Sequence, residues 1–305
     1  MGLFSWLRRR FAPAQQTASG APRRWQWWGG RRLFSIGTYI FPKDAVEGER
    51  LDLQHHLYKL VLGANYRAPI RQPRAILDVA CGTGIWGREM ALEFKQAQVI
   101  GFDLDRTPME ASRARLGPSG QFPANFRFIE ADALKPFPFE AEQFDFAHAR
   151  LISPFVPIAL WPQVVAEMAR VTRRAGYVEI VDTEIIHTES PAFNQIMGSG
   201  IAMMKRLGMH SGAAPYLADY LRQAGLIRVQ ERPFVLGSGL HAQRQQRLLI
   251  ADMLAAFANM EPIMVKTGTF SSEQYQSLMQ QARVEIPQVG LTVPVIVAYG
   301  MKPFN

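Results

Sequence analysis

Short apolar runs alternate with amphipathic segments through the middle of the chain, from residue 74 to residue 182. The first run, at 75–79, is interrupted by one acid, Asp78, and leads directly into a glycine-containing turn and a helical pattern. The later apolar runs lie at 98–104, 126–132, 144–150 and 176–182. Strands that alternate with helices in this way predict an α/β fold with a doubly wound parallel sheet.

The second half of the chain has a different pattern of predicted elements, with longer helices. Its apolar pattern predicts strands at 226–236 and 291–302 and helices at 190–207, 216–223, 242–260 and 273–283. The two added strands give a mostly parallel sheet of seven strands. We expect a core at 74–182, with helical cap elements on the substrate side within 186–225 and 239–285.

This half is also rich in methionine, a residue that lines adaptable apolar pockets in some proteins and fills cores in others. The pattern alone leaves both roles open. The methionines concerned are Met197, Met203, Met204, Met209, Met253, Met260 and Met264.

An amphipathic helix is predicted ahead of the sheet, at 44–62, because apolar residues recur there at helical spacing. We therefore take 36–305 as one domain. His55 and His56 lie on this helix without a matching carboxylate or cysteine pattern, so we predict no metal site.

The positive charge of the protein is concentrated at its N-terminus. The formal net charge is +8, and residues 1–32 contain seven arginines with no lysine or acid, so the rest of the chain is nearly neutral. Residues 1–35 are predicted to be an irregular basic tail with four tryptophans. Three interpretations are open: a flexible tail, a weak contact with a membrane surface, and a lid in which 25–28 covers the ligand site.

Composition limits the setting in which the protein works. The single cysteine, Cys81, excludes an internal disulfide and a cysteine-rich metal site, and it favours a reducing, cytoplasmic location. No uninterrupted apolar run approaches the roughly 20 residues that span a bilayer. The nearly neutral body does not favour nucleic acid as a partner or substrate.

The turn after the first strand has the chemistry of a nucleotide site. Gly82 and Gly84 allow positive φ and a close approach of ligand to backbone, and the following helix presents free N–H groups. With Gly87 they also fit the dinucleotide pattern GxGxxG, which keeps an NAD-dependent oxidoreductase as one alternative. However, Asp78 would repel a pyrophosphate, whereas it suits a ligand that carries an ammonium group. Asp103, about 20 residues beyond the glycines, is placed to accept ribose hydroxyls.

The arrangement of Asp78, Gly82 and Gly84 resembles motif I of the class I S-adenosylmethionine-dependent methyltransferases. The resemblance covers 74–182 and implies a Rossmann-like fold with S-adenosyl-L-methionine as cofactor. Where the family usually has a further glycine this chain has Ala80, for which we expect a negative φ. The residues that the resemblance assigns to cofactor binding are Asp78, Ala80, Gly82, Gly84, Asp103, Leu104, Asp132, Ala133 and His148.

Flanking segments resemble a narrower group, the LaeA-like methyltransferases of secondary metabolism. The segments are 39–44, 49–56, 68–70, 82–86 and 144–150. In that group the helix around Arg50 packs close to the cofactor. The group includes small-molecule methyltransferases and regulators, so the resemblance implies either role.

The leading hypothesis is methyl transfer from S-adenosylmethionine to a small-molecule acceptor. His148, at the end of the fourth core strand, is the candidate general base, with a structural role as its alternative. Arg150 is predicted to bind an acidic group of the substrate or to pair with a nearby carboxylate. The second hypothesis is a non-catalytic S-adenosylmethionine-binding regulator that acts through a protein partner.

Overall fold

A computed structural model describes residues 25–28, 31–34, 45–116, 121–239 and 241–304, the first two ranges by their backbone alone. The strands in these ranges are β1 (Trp25–Trp28), β2 (Arg31–Phe34), β3 (Ala75–Val79), β4 (Gln98–Asp103), β5 (Phe126–Glu130), β6 (Phe144–Arg150), β7 (Thr172–Thr183), β8 (Ile227–Leu236) and β9 (Val293–Met301). The helices are α1 (Ala45–Leu62), α2 (Ile85–Glu93), α3 (Thr107–Leu116), α4 (Trp161–Val171), α5 (Pro191–Arg206), α6 (Leu217–Gln223), α7 (Ala242–Lys266) and α8 (Ser272–Val289).

Seven of the strands form one twisted sheet in the order β5-β4-β3-β6-β7-β9-β8. The first five of these are parallel, and β9 runs antiparallel to both of its neighbours. This confirms the predicted fold class, an α/β sheet that is mostly parallel. The strand order reverses at β3, and the carboxyl ends beside such a switch point are where ligands bind in doubly wound folds.

Alternate residues of the central strands pack against opposite layers of helices. Leu77, Ala147 and Val178 face the layer of α4 and α6, and Ile76 and Phe146 face α2. The helix α6 was predicted as part of the substrate-side cap, but it packs on the sheet, because its Leu217 and Leu221 join that first core. The elements above the carboxyl ends of the strands are α1, α5, α7 and α8.

Several boundaries differ from the apolar pattern. The amphipathic pattern over 162–174 predicts one helix, but α4 ends at Val171 and β7 begins at once with Thr172. The hydroxyl of Thr172 donates to the Met168 carbonyl at 2.7 Å, which caps the helix. The strand predicted at 126–132 ends at Glu130, so Asp132 lies in the loop that follows.

The predicted irregular tail contains regular structure. β1 and β2 pair antiparallel, with Trp25 opposite Phe34 and Trp28 opposite Arg31. The prediction of an irregular segment over all of 1–35 is therefore wrong for these two strands. Residues 1–24 lie outside the described part of the chain, and the lid and membrane interpretations stay predictions.

Among the described helices one, α7, is long enough and apolar enough to cross a membrane, judged by length and composition alone. In this fold it packs against α1 and α8. Asp252, near its middle, is buried and pairs with Arg50 of α1 at 2.6 Å. Less than half of its most apolar stretch, 44%, is buried in the domain.

Candidate functional site

A cavity of about 300 Å³ lies at the carboxyl ends of the central strands and is roofed by α1, α5 and α7. It brings together six residues predicted from the sequence to form the site: Asp78, Ala80, Gly82, Asp103, His148 and Arg150. Four other predicted residues do not line it: Gly84, Leu104, Asp132 and Ala133.

The glycine turn has the backbone that its sequence predicts. Gly82 and Gly84 have φ of 55° and 73°, and Gly84 precedes the first residue of α2. The N–H of Gly82 donates to Asp103 Oδ2 at 2.9 Å, so the acid at the end of β4 braces the turn. Gly87 serves packing, since a Cβ there would lie 2.5 Å from Phe126 Cε2.

Ala80 adopts a φ of 54°, so the expected negative φ is wrong. The left-handed conformation costs an alanine about 1–2 kcal/mol, and the turn imposes it because the next residue is tied to β4: the N–H of Cys81 donates to the carbonyl of Phe102 at 3.0 Å. Burial raises the pKa of the Cys81 thiol well above its usual value, with the charge of Asp78 adding to the effect. Cys81 is therefore a protonated thiol.

Asp78 and His148 face each other on the two adjacent strands β3 and β6. His148 Nδ1 lies 3.4 Å from Asp78 Oδ1, and the imidazole stacks on the indole of Trp86. Burial lowers the pKa of His148 well below 6.5, and the charge of Arg150 adds to this effect. The ring is therefore neutral at pH 7 and suits a positioning role.

The Asp78 carboxyl is only 4% exposed, and its Oδ2 has no hydrogen-bond partner among the residues that the structure describes. Burial raises the pKa of Asp78 to about 7, against the opposing charge of Arg150. A buried acceptor without a partner is costly. A ligand ammonium group would both satisfy this oxygen and restore the ordinary pKa.

Arg150 presents a cation to the same cavity. Its Nη2 lies 3.0 Å from Nδ1 of His55, and its guanidinium lies 5.5 Å over the ring of Tyr58. No carboxylate of the described residues forms an ion pair with it, although Asp78 is near enough to raise its pKa. Burial is the larger influence and lowers that pKa. The group therefore suits an anionic partner from outside the chain.

The residues predicted to bind ribose and adenine lie at or just beyond the ends of the neighbouring strands β4 and β5. Asp103 pairs in register with Glu130 of β5, and the N–H of Ala131 donates to the Asp103 carbonyl at 2.9 Å. Asp132 follows on the same edge, and its Oδ1 accepts from the N–H of Leu134 at 2.9 Å. Asp103 lines the cavity and Asp132 does not, and the roles of both acids in binding stay predictions.

A buried ionic cluster, missed by the sequence analysis, joins α1 to α7 at the cavity wall. Arg50 donates to both carboxylate oxygens of Glu47, at 2.7 and 2.8 Å, and to Asp252 Oδ1 at 2.6 Å. Asn259 and Gln54 donate to the same two carboxylates. The sequence feature that could have indicated this cluster is the presence of an acid, Asp252, and an amide, Asn259, within the otherwise apolar α7.

The fold brings a carboxylate to the two histidines that the sequence left without one. Ligand atoms of His55, His56 and Glu89 lie within 4.8 Å of one another. However, Lys59 Nζ already lies 2.6 Å from Glu89 Oε2, and Arg150 faces His55. Burial lowers the pKa of His55 to about 4. Two neighbouring positive charges oppose a bound cation here.

The methionines of the second half divide between the two roles left open by the sequence. Met197, Met204, Met253 and Met260 line the cavity. Met203 belongs to the core beneath α5 and α7, with Met264, and Met209 is also buried.

Comparison with known proteins shows what the chain is similar to. Residues 76–176 match a family model described as a methyltransferase domain. Methyltransferase pytC of Aspergillus terreus is 29% identical over 234 residues, which cover 72% of this chain and 68% of that protein. The secondary metabolism regulator LAE1 of Cochliobolus heterostrophus is 30% identical over 52% of this chain and 50% of its own length.

A solved structure supports the fold alone. The phosphoethanolamine N-methyltransferase 2 of Haemonchus contortus, in complex with phosphomonomethylethanolamine and S-adenosylhomocysteine, superposes with a TM-score of 0.50 at 15% identity. The match covers 89% of this chain and 62% of that chain. Residues 76–176 are therefore similar to a methyltransferase domain, and the chain has a Rossmann-like α/β fold.

Proposed function

We propose that this protein binds S-adenosylmethionine in the cavity and transfers its methyl group to a small-molecule acceptor. The observation that carries the proposal is the combination of Asp78 and Arg150 in one cavity. Among the residues that the structure describes, one offers a buried carboxylate oxygen without a hydrogen-bond partner, and the other offers a guanidinium without an ion pair. An amino acid terminus, with its ammonium and carboxylate, complements the two.

The residues present fit this ligand. Asp78 would hold the ammonium group and Arg150 the carboxylate of the methionine part, in place of the substrate contact predicted for Arg150. Asp103 would accept the ribose hydroxyls while it braces Gly82. Contacts of Leu104, Asp132 and Ala133 with the adenine remain part of the proposal.

The protein's own contribution is alignment. S-adenosylmethionine, when bound, supplies an already activated methyl group, so proximity and orientation account for most of what the chain must provide. In this proposal His148 is a positioning residue. Its neutral ring is fixed by Trp86 and directs Nδ1 at Asp78.

A regulatory role is the second candidate, since the relative LAE1 is named a regulator of secondary metabolism. The two functions share the cofactor site and differ in turnover. The single cysteine and the nearly neutral body support a cytoplasmic protein whose acceptor is not nucleic acid, and both statements are part of our proposal.

Calorimetric titration with S-adenosylhomocysteine tests the site. We expect binding to the wild-type chain, and a loss of about 1.5–3 kcal/mol in Asp103→Ala, the usual scale for hydrogen bonds to a charged group. Asp219→Ala, an exposed acid on α6, is the control and should bind normally. Equal affinity in the two variants would remove Asp103 from the site.

Titration with NADH separates the remaining alternative. We expect no NADH binding, and binding of NADH with none of S-adenosylhomocysteine would replace the proposal by an oxidoreductase. Release of S-adenosylhomocysteine with a methylated product would favour the enzyme over the regulator.

A further inference from the structure

The cavity has two halves of different chemistry. Asp78, Asp103 and Arg150 line the half above β3, β4 and β6. The other half lies beyond the end of β7, between α5 and α7, and we call it the acceptor compartment. Its walls are apolar and include Ile185, Met197, Met204, Met253, Phe257 and Met260.

Two carboxylates border the acceptor compartment, and only one is engaged. Asp252 is held by Arg50 and Gln54. The half-buried Glu184 side chain forms no hydrogen bond or ion pair with any residue that the structure describes. It is therefore the acid that remains available to a ligand.

The main chain fixes the place of Glu184. Its N–H donates to the Pro294 carbonyl at 2.9 Å. Gly212 packs so closely that a Cβ there would lie 3.0 Å from the Glu184 Cα and 2.5 Å from the Thr183 carbonyl oxygen. A carboxylate held at a fixed point of an apolar wall can select ligands by charge.

We propose that the acceptor compartment takes a lipophilic molecule that carries no anionic group and directs a hydrogen-bond donor at Glu184. This inference rests on the proposed function, because it names the substrate class of the same cavity. An anion would lose its hydration among the methionines and meet the charge of Glu184. Rejection by like charge is an effective source of specificity.

Two fluorescent probes test the compartment. N-phenyl-1-naphthylamine is uncharged and carries one N–H donor, and 8-anilinonaphthalene-1-sulfonate has the same rings with an anionic group. Both are titrated into the full chain with and without saturating S-adenosylhomocysteine. We expect the uncharged probe to bind at least tenfold more tightly than the sulfonate. We expect Glu184→Gln to reduce this difference in affinity between the two probes.

A matched pair of variants on α5 locates the binding. A Cβ at Gly200 would lie 3.4 Å from the Met260 and Met264 methyl groups, whereas a Cβ at Gly198 would meet no atom within 4 Å. Gly200→Leu therefore fills the compartment, and Gly198→Leu does not. We expect the uncharged probe to bind Gly198→Leu normally and Gly200→Leu at least tenfold more weakly. Met253→Glu, which places a charge in the same wall, should give the same loss.

Separate readouts distinguish the two proposals. Failure of the wild-type chain to bind S-adenosylhomocysteine would overturn the proposed function. The probe titration without S-adenosylhomocysteine would still report on the acceptor compartment. Equal binding of the uncharged probe to Gly200→Leu, Met253→Glu and Gly198→Leu would overturn the proposal that the acceptor compartment binds such molecules. With S-adenosylhomocysteine bound, so that Arg150 is already paired, tighter binding of the sulfonate to the wild-type chain would overturn the charge selection. An unchanged difference in affinity between the two probes in Glu184→Gln would also overturn it.

Discussion

The imidazole of His148 lies flat against the indole of Trp86, with ring centroids 3.9 Å apart and ring planes 4° apart. This packing fixes the plane of the imidazole, and β6 fixes its distance from β3. The ring edge is thereby held 3.4 Å from Asp78. A buried neutral imidazole is a weak proton acceptor, but it is well placed to orient a neighbouring carboxylate.

Replacement of His148 should separate positioning from proton transfer. His148→Phe keeps a ring for stacking and removes the contact with Asp78. We expect a normally folded protein that binds S-adenosylhomocysteine about 1 kcal/mol more weakly, the scale of one hydrogen bond, with the pH midpoint of binding shifted upward. Unchanged affinity and midpoint, together with a loss of turnover, would instead assign His148 as the general base.

Binding of S-adenosylhomocysteine should depend on the ionisation of Asp78. Burial raises the pKa of this carboxyl to about 7 in the free protein, and the ammonium group binds the ionised form. Affinity should therefore rise about tenfold between pH 6 and pH 8, with protons released on binding below pH 7. Calorimetry in buffers of different ionisation enthalpy measures both, and Asp78→Asn should bind weakly without this pH dependence. A wild-type affinity that falls over this range would contradict the assignment.

The ionic cluster between α1 and α7 should matter for stability. Arg50→Met removes the cation that forms ion pairs with the buried carboxylates Glu47 and Asp252, and such a loss costs about 3–5 kcal/mol. Lys59→Met removes a cation from the exposed side of the same helix, where the expected loss is below about 1 kcal/mol. Urea unfolding of both variants measures the difference, and equal losses would show that the cluster is not buried as described.

Replacement of Ala80 by glycine should stabilise the protein. Its φ of 54° is costly for alanine and free for glycine, and alanine at a positive φ destabilises a protein by more than its gain in chain entropy. Ala80→Gly should therefore raise the free energy of unfolding by about 1 kcal/mol without loss of cofactor affinity. A decrease in stability would mean that the turn relaxes to a negative φ.

Local sequence patterns predicted several of the residues that meet at the carboxyl ends of the strands. Asp78 near the end of β3, Gly82 in the following turn and Asp103 at the end of β4 line one cavity, because parallel strands bring their carboxyl ends to one edge. The bounds of β6 agree with its apolar run. The end of α4 was missed because β7 continues from it without a turn, and apolar residues suit both elements.

Long-range pairing could not be predicted from local patterns. The partner of Arg50 lies on a helix far along the chain, and no periodicity relates the two. Similarly, the leucines of α6 fit a cap or a sheet face equally well, and only the packing of that layer decides between them. The conformation of Ala80 also depends on the tie between the next residue and β4, not on the alanine itself.

The contact between Arg50 and Asp252 spans 202 positions of the chain. At a synthesis rate of about 5–20 residues per second, the first partner emerges some 10–40 s before the second. Until then the ion pair between Arg50 and Asp252 cannot form, and the methionines of α5 lack the helix opposite them. The acceptor compartment is therefore completed late in biosynthesis, well after the strands around the glycine turn have been made.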